Sequence, residues 1–301
     1  MAAPNGLHTY QDASRREDLL SIIADISPDE TPILTMAKTK SAGQTLHEWA
    51  DYYESAPSTV SKSKEGDDAT FADLSAPSRK NNICQIITEN FAVTETEMAV
   101  NTVTPQDAFN MQKGFASRRW KNKLEYSLLL STKTSGSSGV EREMGGLLQF
   151  ATADGKTTVR ASGTSLSSTE FNDMIQDSYT VTDSAIVDLI LCTAKTKRDI
   201  SKFTASNTKE INADDKRIVD SITVYESDFG IHQIMKHRYM ATNAIAGVKK
   251  ANLAVAYLRR PKDVDLAQTG DSKKGQIVGE ATLEVMSSRG LTFRSGYNLP
   301  L

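Results

Sequence analysis

The sequence predicts an α+β protein whose helices and strands are segregated along the chain. Three observations predict it. A short amphipathic helical pattern stands near the start, a long helical run almost free of breakers lies in the first half, and strand-forming runs dominate after residue 218. The 301 residues are enough for about two domains or one elaborate one with a real core.

Ser14-Arg-Arg-Glu17 reads as a capping box, followed by Leu19, Leu20, Ile22, Ile23 and Ile26 at helical spacing until Ser27-Pro28 stops the run. Polar residues 1–13 and the turn-rich 27–32 flank it, a composition that cannot build its own core. This is an arm in need of a partner. Residues 44–54 and 82–93 are rich in strand formers and pair as two arms of a hairpin. Between them, residues 55–81 are mostly Ser, Lys, Asp, Ala and Pro. A structureless connection longer than about 15 residues is functional or linker-like, so this one reads as an extended loop reaching outward.

Thr104-Pro105-Gln-Asp107 is a strong helix start, with a capping Thr, Pro at the first helical position and an early acid. About 27 residues follow before the Gly-rich turn at 134–139, a rod of about 40 Å. Phe109, Ala116, Trp120, Leu124 and Leu128 form a stripe at steps of about 3.6 residues, so one face is buried. Lys113, Arg118, Arg119, Lys121 and Lys123 crowd the rest; they read either as a solvated face or as contacts to phosphates or acidic neighbours.

A second module begins near Met144-Gly-Gly-Leu-Leu148 and contains a capped helix with Phe171, Met174, Ile175 and Tyr179 on one side. The strand at 186–193, a short basic helix around 195–203 and a polar linker at 205–217 follow. Runs at 218–226, 230–236, 253–258 and 276–286 then read as strands.

Composition excludes several classes of function. With 35 Lys+Arg against 38 Asp+Glu, the formal charge of −3 is too near neutral for a protein that wraps nucleic acid with a basic surface. The first residues carry neither a basic n-region nor an apolar core, so no secretory signal is expected there. No apolar stretch approaches the roughly 18 residues a bilayer span needs, so no membrane partner is expected. Cys84 and Cys192 sit in apolar runs and read as buried small hydrophobes.

Chemistry is equally sparse. Neither 136–139 nor 270–275 has the Lys-Ser or Lys-Thr that must follow a phosphate-cradling loop. His8, His47, His232 and His237 are scattered, without a Cys or carboxyl cluster at ligand spacing, so no metal and no cofactor is expected. Asp228-Phe-Gly230 matches a kinase tripeptide by letters alone; it reads as a turn with Gly230 supplying positive φ. No Gly-x-Ser-x-Gly elbow exists, and no catalytic residue is named.

The order of segments carries more. Arg16-Glu-Asp-Leu-Leu20, Ile26-Ser-Pro-Asp-Glu-Thr-Pro32, Leu46-His-Glu-Trp49, Glu65-Gly-Asp67, Arg79-Lys-Asn-Asn82 and Gln85-Ile86 resemble the major head proteins of tailed bacteriophages. Gly145-Gly-Leu147, Tyr225-Glu-Ser-Asp-Phe-Gly230, Leu258-Arg-Arg260, Thr269-Gly-Asp271 and Gly279-Glu-Ala-Thr-Leu-Glu284 extend the likeness over nearly the whole chain. The resemblance implies a Hong Kong 97-like capsid fold: N-terminal arm at 1–42, extended hairpin loop at 43–93, peripheral domain with spine helix at 94–144, axial domain at 145–217, and return strands of the peripheral domain at 218–301. It implies a non-enzymatic shell protein that forms hexamers and pentamers around double-stranded DNA in the virion, assembled in the host cytoplasm. Many such proteins carry a cleaved scaffolding segment; here the arm begins almost at once, so any scaffolding is expected as a separate protein, beside portal and cement proteins. A nanocompartment shell of the same fold, or an enzyme using dispersed Asp, Ser and His, are the alternatives.

On this reading the arm and hairpin bury their surface on neighbouring subunits. The expected contacts are Leu19, Ile22 and Ile23 of the arm, Trp49, Tyr52 and Tyr53 of the hairpin as aromatic anchors, and Glu65, Asp67 and Arg79 as charge partners that set register. Trp49, Tyr52 and Tyr53 fit packing onto their own subunit equally well. Arg118, Arg119 and Lys121 are the candidates for a lumen-facing surface that meets DNA without reading bases.

Overall fold

A computed structural model describes residues 31–51, 62, 64–66, 68, 76–100, 107–153, 157–164, 166–180, 186–203, 224–241, 243–287 and 290–297. Helix α1 (Pro32–Met36) leads into strand β1 (Lys38–Ser41), then β2 (Leu46–Asp51), β3 (Ser78–Ile83) and β4 (Gln85–Thr94). Helix α2 (Glu95–Ala99) and the long helix α3 (Ala108–Leu130) follow. Then come α4 (Leu147–Ala153), β5 (Thr157–Thr164), α5 (Ser168–Thr180), β6 (Leu189–Cys192) and α6 (Ala194–Phe203). The last part is all strand but for a 3-10 turn: β7 (Val224–Ser227), β8 (Gly230–Lys236), β9 (Ile245–Val248), β10 (Leu253–Leu266), β11 (Ser272–Val285) and β12 (Leu291–Tyr297).

These strands make three sheets, ordered β1-β10-β11-β4, β5-β12-β9-β6-β8-β7 and the pair β2-β3. In the first, β10 and β11 form a long antiparallel hairpin, β4 runs antiparallel to β11, and β1 lies parallel to β10. Helix α3 lies across it. Its predicted stripe of Phe109, Ala116, Trp120, Leu124 and Leu128 is buried throughout, against Ile87 and Phe91 of β4 and Ile277 and Leu283 of β11. The helix has 23 residues and is capped by Asp107, whose side chain accepts from the Phe109 amide; the capping Thr104 and Pro105 lie outside the described residues.

The six-stranded sheet is covered on both faces, which is why its central strand β6 is buried at every position. With a period of two, Leu189 and Leu191 face the core beneath α3, while Ile190 and Cys192 meet Phe171, Met174 and Ile175 of α5 and Ile200 of α6. One core therefore joins both large sheets. The Asp228-Phe-Gly230 turn connects β7 to β8, with Gly230 at φ +132° as its tripeptide predicts.

Two readings of strand pairing need correction. Only the first two residues of the run at 82–93 belong to the hairpin: β2 pairs with residues 78–83, and from Gln85 the chain turns into the large sheet beside β11. The break falls at buried Cys84, whose amide donates to the Thr45 carbonyl (2.8 Å) across the base of the hairpin. The alternating Ile87, Glu89, Phe91, Val93 face then belongs to the core and cannot project outward. Likewise the strands after residue 218 do not all return to the first sheet. Strands β7, β8, β9 and β12 join the six-stranded sheet, and among the described strands after that point only β10 and β11 go back.

Candidate assembly surface

The hairpin is built as a ribbon with an anchored base, one half-buried face turned to the body and one exposed face. Antiparallel pairing runs from Leu46 opposite Ile83 to Asp51 opposite Ser78, and among the described residues the two strands pair with no third. Not one residue of Leu46–Asp51 is buried. Leu46 itself stands 44% exposed. A two-stranded ribbon of this kind is at best marginally stable in water.

Among the predicted contact residues, Trp49 sits half-buried between His47 (ring centroids 5.8 Å) and Phe150 of α4 (6.1 Å), so its ring packs on its own subunit. Its indole Nε1 is shielded from solvent and has no hydrogen-bond partner among the described residues. Arg79 is exposed and faces Glu48 across the ribbon at 3.5 Å. Glu65 is exposed. Leu19, Ile22, Ile23, Tyr52, Tyr53 and Asp67 lie outside the described residues.

One buried carboxyl holds the hairpin base and another ties β4 to α3, and no local sequence pattern marks either. Glu284 of β11 receives Lys40 Nζ at 2.7 Å and lies 3.0 Å from His47 Nε2. Burial alone would raise its pKa, but the hydrogen bonds and charges of Lys40 and His47 together outweigh it and hold the carboxyl below its ordinary value. Glu89 of β4 is held down in the same sense: burial raises it, and ion pairs with Lys123 and with Arg119 (Nε to Oε1, 2.6 Å) more than compensate. A carboxyl depressed in the folded state stabilises fully above its unfolded pKa of about 4.3, and that contribution is lost as pH falls through the lower folded value. Thermal melts are therefore expected to hold their midpoint above about pH 5 and to drop on acidification below about pH 4, with a shallower drop for Glu284→Gln.

The basic face of α3 is largely matched within the chain. Arg119 and Lys123 share Glu89, and Lys113 pairs with Asp263 of β10. The acidic neighbours foreseen for these cations belong to the same subunit. Lys121 is exposed, and Arg118 lies 6.0 Å from the Phe115 ring centroid.

Elsewhere, polar groups serve structure. His237 meets Glu125, while His232 lies against the Val187 carbonyl and Ser227. Burial lowers the His232 pKa, although the Val187 hydrogen bond opposes it. Burial also pushes the Cys84 thiol up to about 11 and the Cys192 thiol to about 12. Among the described residues no three His, Cys, Asp or Glu side chains gather to hold a metal ion, and no helix is long and apolar enough to cross a membrane. A cleft of about 580 Å³ between α3 and β4 is lined by Ile86, Arg119, Asn122, Lys123, Tyr126 and Tyr239 among others. Among the described residues, none of the groups with a shifted pKa lines it.

The model of the SU10 major capsid protein family matches residues 4–292. The chain belongs to that family. No curated protein sequence matches it. Among solved structures, a chain of the cyanophage A-1(L) capsid superposes with TM-score 0.68 at 10% identity, covering 97% of this chain and 99% of that one. The capsid of an empty GTA particle gives 0.65 at 11% identity, covering 97% and 100%. The holo-SrpI encapsulin complex of Synechococcus elongatus PCC 7942 gives 0.57 at 8% identity, covering 93% and 95%. These likenesses establish the Hong Kong 97-like fold. This major capsid protein is a structural protein of the virion that self-associates into an icosahedral phage shell.

Proposed function

We propose that this capsid protein assembles as hexamers and pentamers into a closed head around double-stranded DNA, with the β2–β3 hairpin and the N-terminal arm of each subunit lying on neighbours. One observation carries the reading: a paired ribbon that buries no residue of its leading strand. Such a ribbon gains order when a second surface covers it, and contacts repeated around every subunit multiply into a stable shell. Arg79 and Glu65, with Asp67, Tyr52, Tyr53 and the arm residues Leu19, Ile22 and Ile23, are the contacts proposed.

On the lumen side, Arg118, Arg119 and Lys121 meet the genome through phosphates. Packing of any sequence requires such indifference to bases. Assembly takes place in the host cytoplasm. Deleting residues 58–77 tests the hairpin: a soluble, cooperatively folding subunit that no longer closes shells is expected, and intact shells of equal stability would contradict it. Nuclease treatment of purified particles tests the cargo. Long protected DNA without sequence preference is expected; protein cargo without DNA would favour the compartment that the encapsulin likeness raises.

A further inference from the structure

Asn82 stands where the hairpin joins the body, and its side chain is fully buried. All four of its hydrogen-bonding positions are used. Nδ2 donates to the carbonyls of Gly145 (2.9 Å) and Leu283 (2.7 Å), while Oδ1 accepts from the amides of Gly145 (2.7 Å) and Ile83 (2.8 Å). One planar amide thus binds the end of β3 to the segment after α3 on one side and to β11 on the other.

Neighbouring groups reinforce the same joint. Lys133 Nζ reaches the Asn81 carbonyl (3.3 Å) and side chain, and the Met144 amide donates to Gln85 Oε1 (3.3 Å). Glu284, next to Leu283 on β11, takes Lys40 and His47 from the other strand side. At Gly145 a Cβ would lie 2.6 Å from Gln149 Oε1 and 3.4 Å from Asn82 Oδ1, so a larger residue there would displace the Gln149 side chain, whose Oε1 accepts from the Lys133 amide.

We propose that Asn82 is a positioning residue that sets the angle at which the hairpin leaves the body, and through that angle the curvature at which the shell closes. The proposal rests on the reading of the hairpin as an inter-subunit contact. Tilting the hairpin breaks several hydrogen bonds of a buried group at once, which makes the joint stiff. Stiffness matters because leverage is long: a tilt of about 6° moves the end of a six-residue strand, about 20 Å away, by about 2 Å.

The test expresses full-length Asn82→Ala and Asn82→Asp subunits, follows their melts and measures particle diameters by electron microscopy. Asp places an oxygen where Nδ2 faced two carbonyls. The expected result is cooperative melting and retained association with loss of the single shell diameter, giving mixed sizes and open forms. Lys133→Met, which cuts only the ties to Asn81, is expected to broaden the diameters less, and it decides the matter should the Asn82 variants not fold. A single wild-type diameter from every folded variant overturns the proposal. The 58–77 deletion separates the two levels: if it builds normal shells, the hairpin reading itself fails, whereas a deletion that blocks shells beside Asn82 variants with uniform ones refutes only the joint.

Discussion

Replacing Glu125 with alanine is expected to destabilise the folded subunit by about 3–5 kcal/mol, the range seen when one member of a buried hydrogen-bonded pair is removed and its partner stays. The Glu125 side chain is fully buried on α3 and accepts from three donors: the amides of Ile33 (2.8 Å) and Leu34 (2.9 Å) and His237 Nε2 (2.8 Å). The Tyr239 amide donates to His237 Nδ1, which leaves the ring proton on Nε2, aimed at Glu125. Helix α1 has five residues and no side-chain cap from Thr31, so the first-turn amides depend on this distant carboxyl. Alanine strands two amides and an imidazole N–H in the interior, each a penalty of about 1–3 kcal/mol if left unmet. Denaturant unfolding of the unassembled subunit measures the loss, and Glu125→Gln, which keeps one acceptor, is expected to fall between. A loss under about 1 kcal/mol for the alanine variant would show that the donors find other partners.

Trp120→Ala is expected to have an effect of similar size, about 3–5 kcal/mol. The ring is 3% exposed at the centre of the α3 stripe, and its Nε1 donates to the Ile87 carbonyl at 2.9 Å. It fits because residue 279 is glycine: a Cβ there would stand 2.8 Å from the Trp120 ring and 3.0 Å from the Pro261 backbone. Truncation opens a cavity between helix and sheet and removes the indole hydrogen bond to that carbonyl, and close-packed surroundings relax only in part. Unfolding midpoints in denaturant, with an unchanged slope, check it. Trp120→Phe, which retains most of the volume, should lose markedly less.

Much of the architecture was legible where periodicity is local. The α3 stripe recurs every 3.6 residues over a long stretch, and its burial follows from that spacing alone. The runs at 186–193, 230–236, 253–258 and 276–286 were legible as strands but not as pairs, and β1, β5, β9 and β12 were not read as strands at all. Residues 82–83 and 85–93 share one composition, yet Cys84 divides them between two sheets, and the four-residue strands β6, β7 and β9 carry no mark of their neighbours. The polar joints left no sign because their members are far apart: Glu125 and His237 are separated by 112 positions, Asn82 and Leu283 by 201. For the same reason the cations of α3 read as an open basic face, although the carboxyl for Lys113 lies 150 residues downstream. The family resemblance supplied the assembly reading, which no single residue pattern carries.

Amide hydrogen exchange at residues 46–51 and 78–83, compared between unassembled subunits and intact shells, tests most directly whether the hairpin completes its structure on a neighbour. Fast exchange in the free subunit that slows by orders of magnitude in the shell, with α3 amides protected in both, is the expected result. Equal and strong protection of the hairpin before assembly would contradict it.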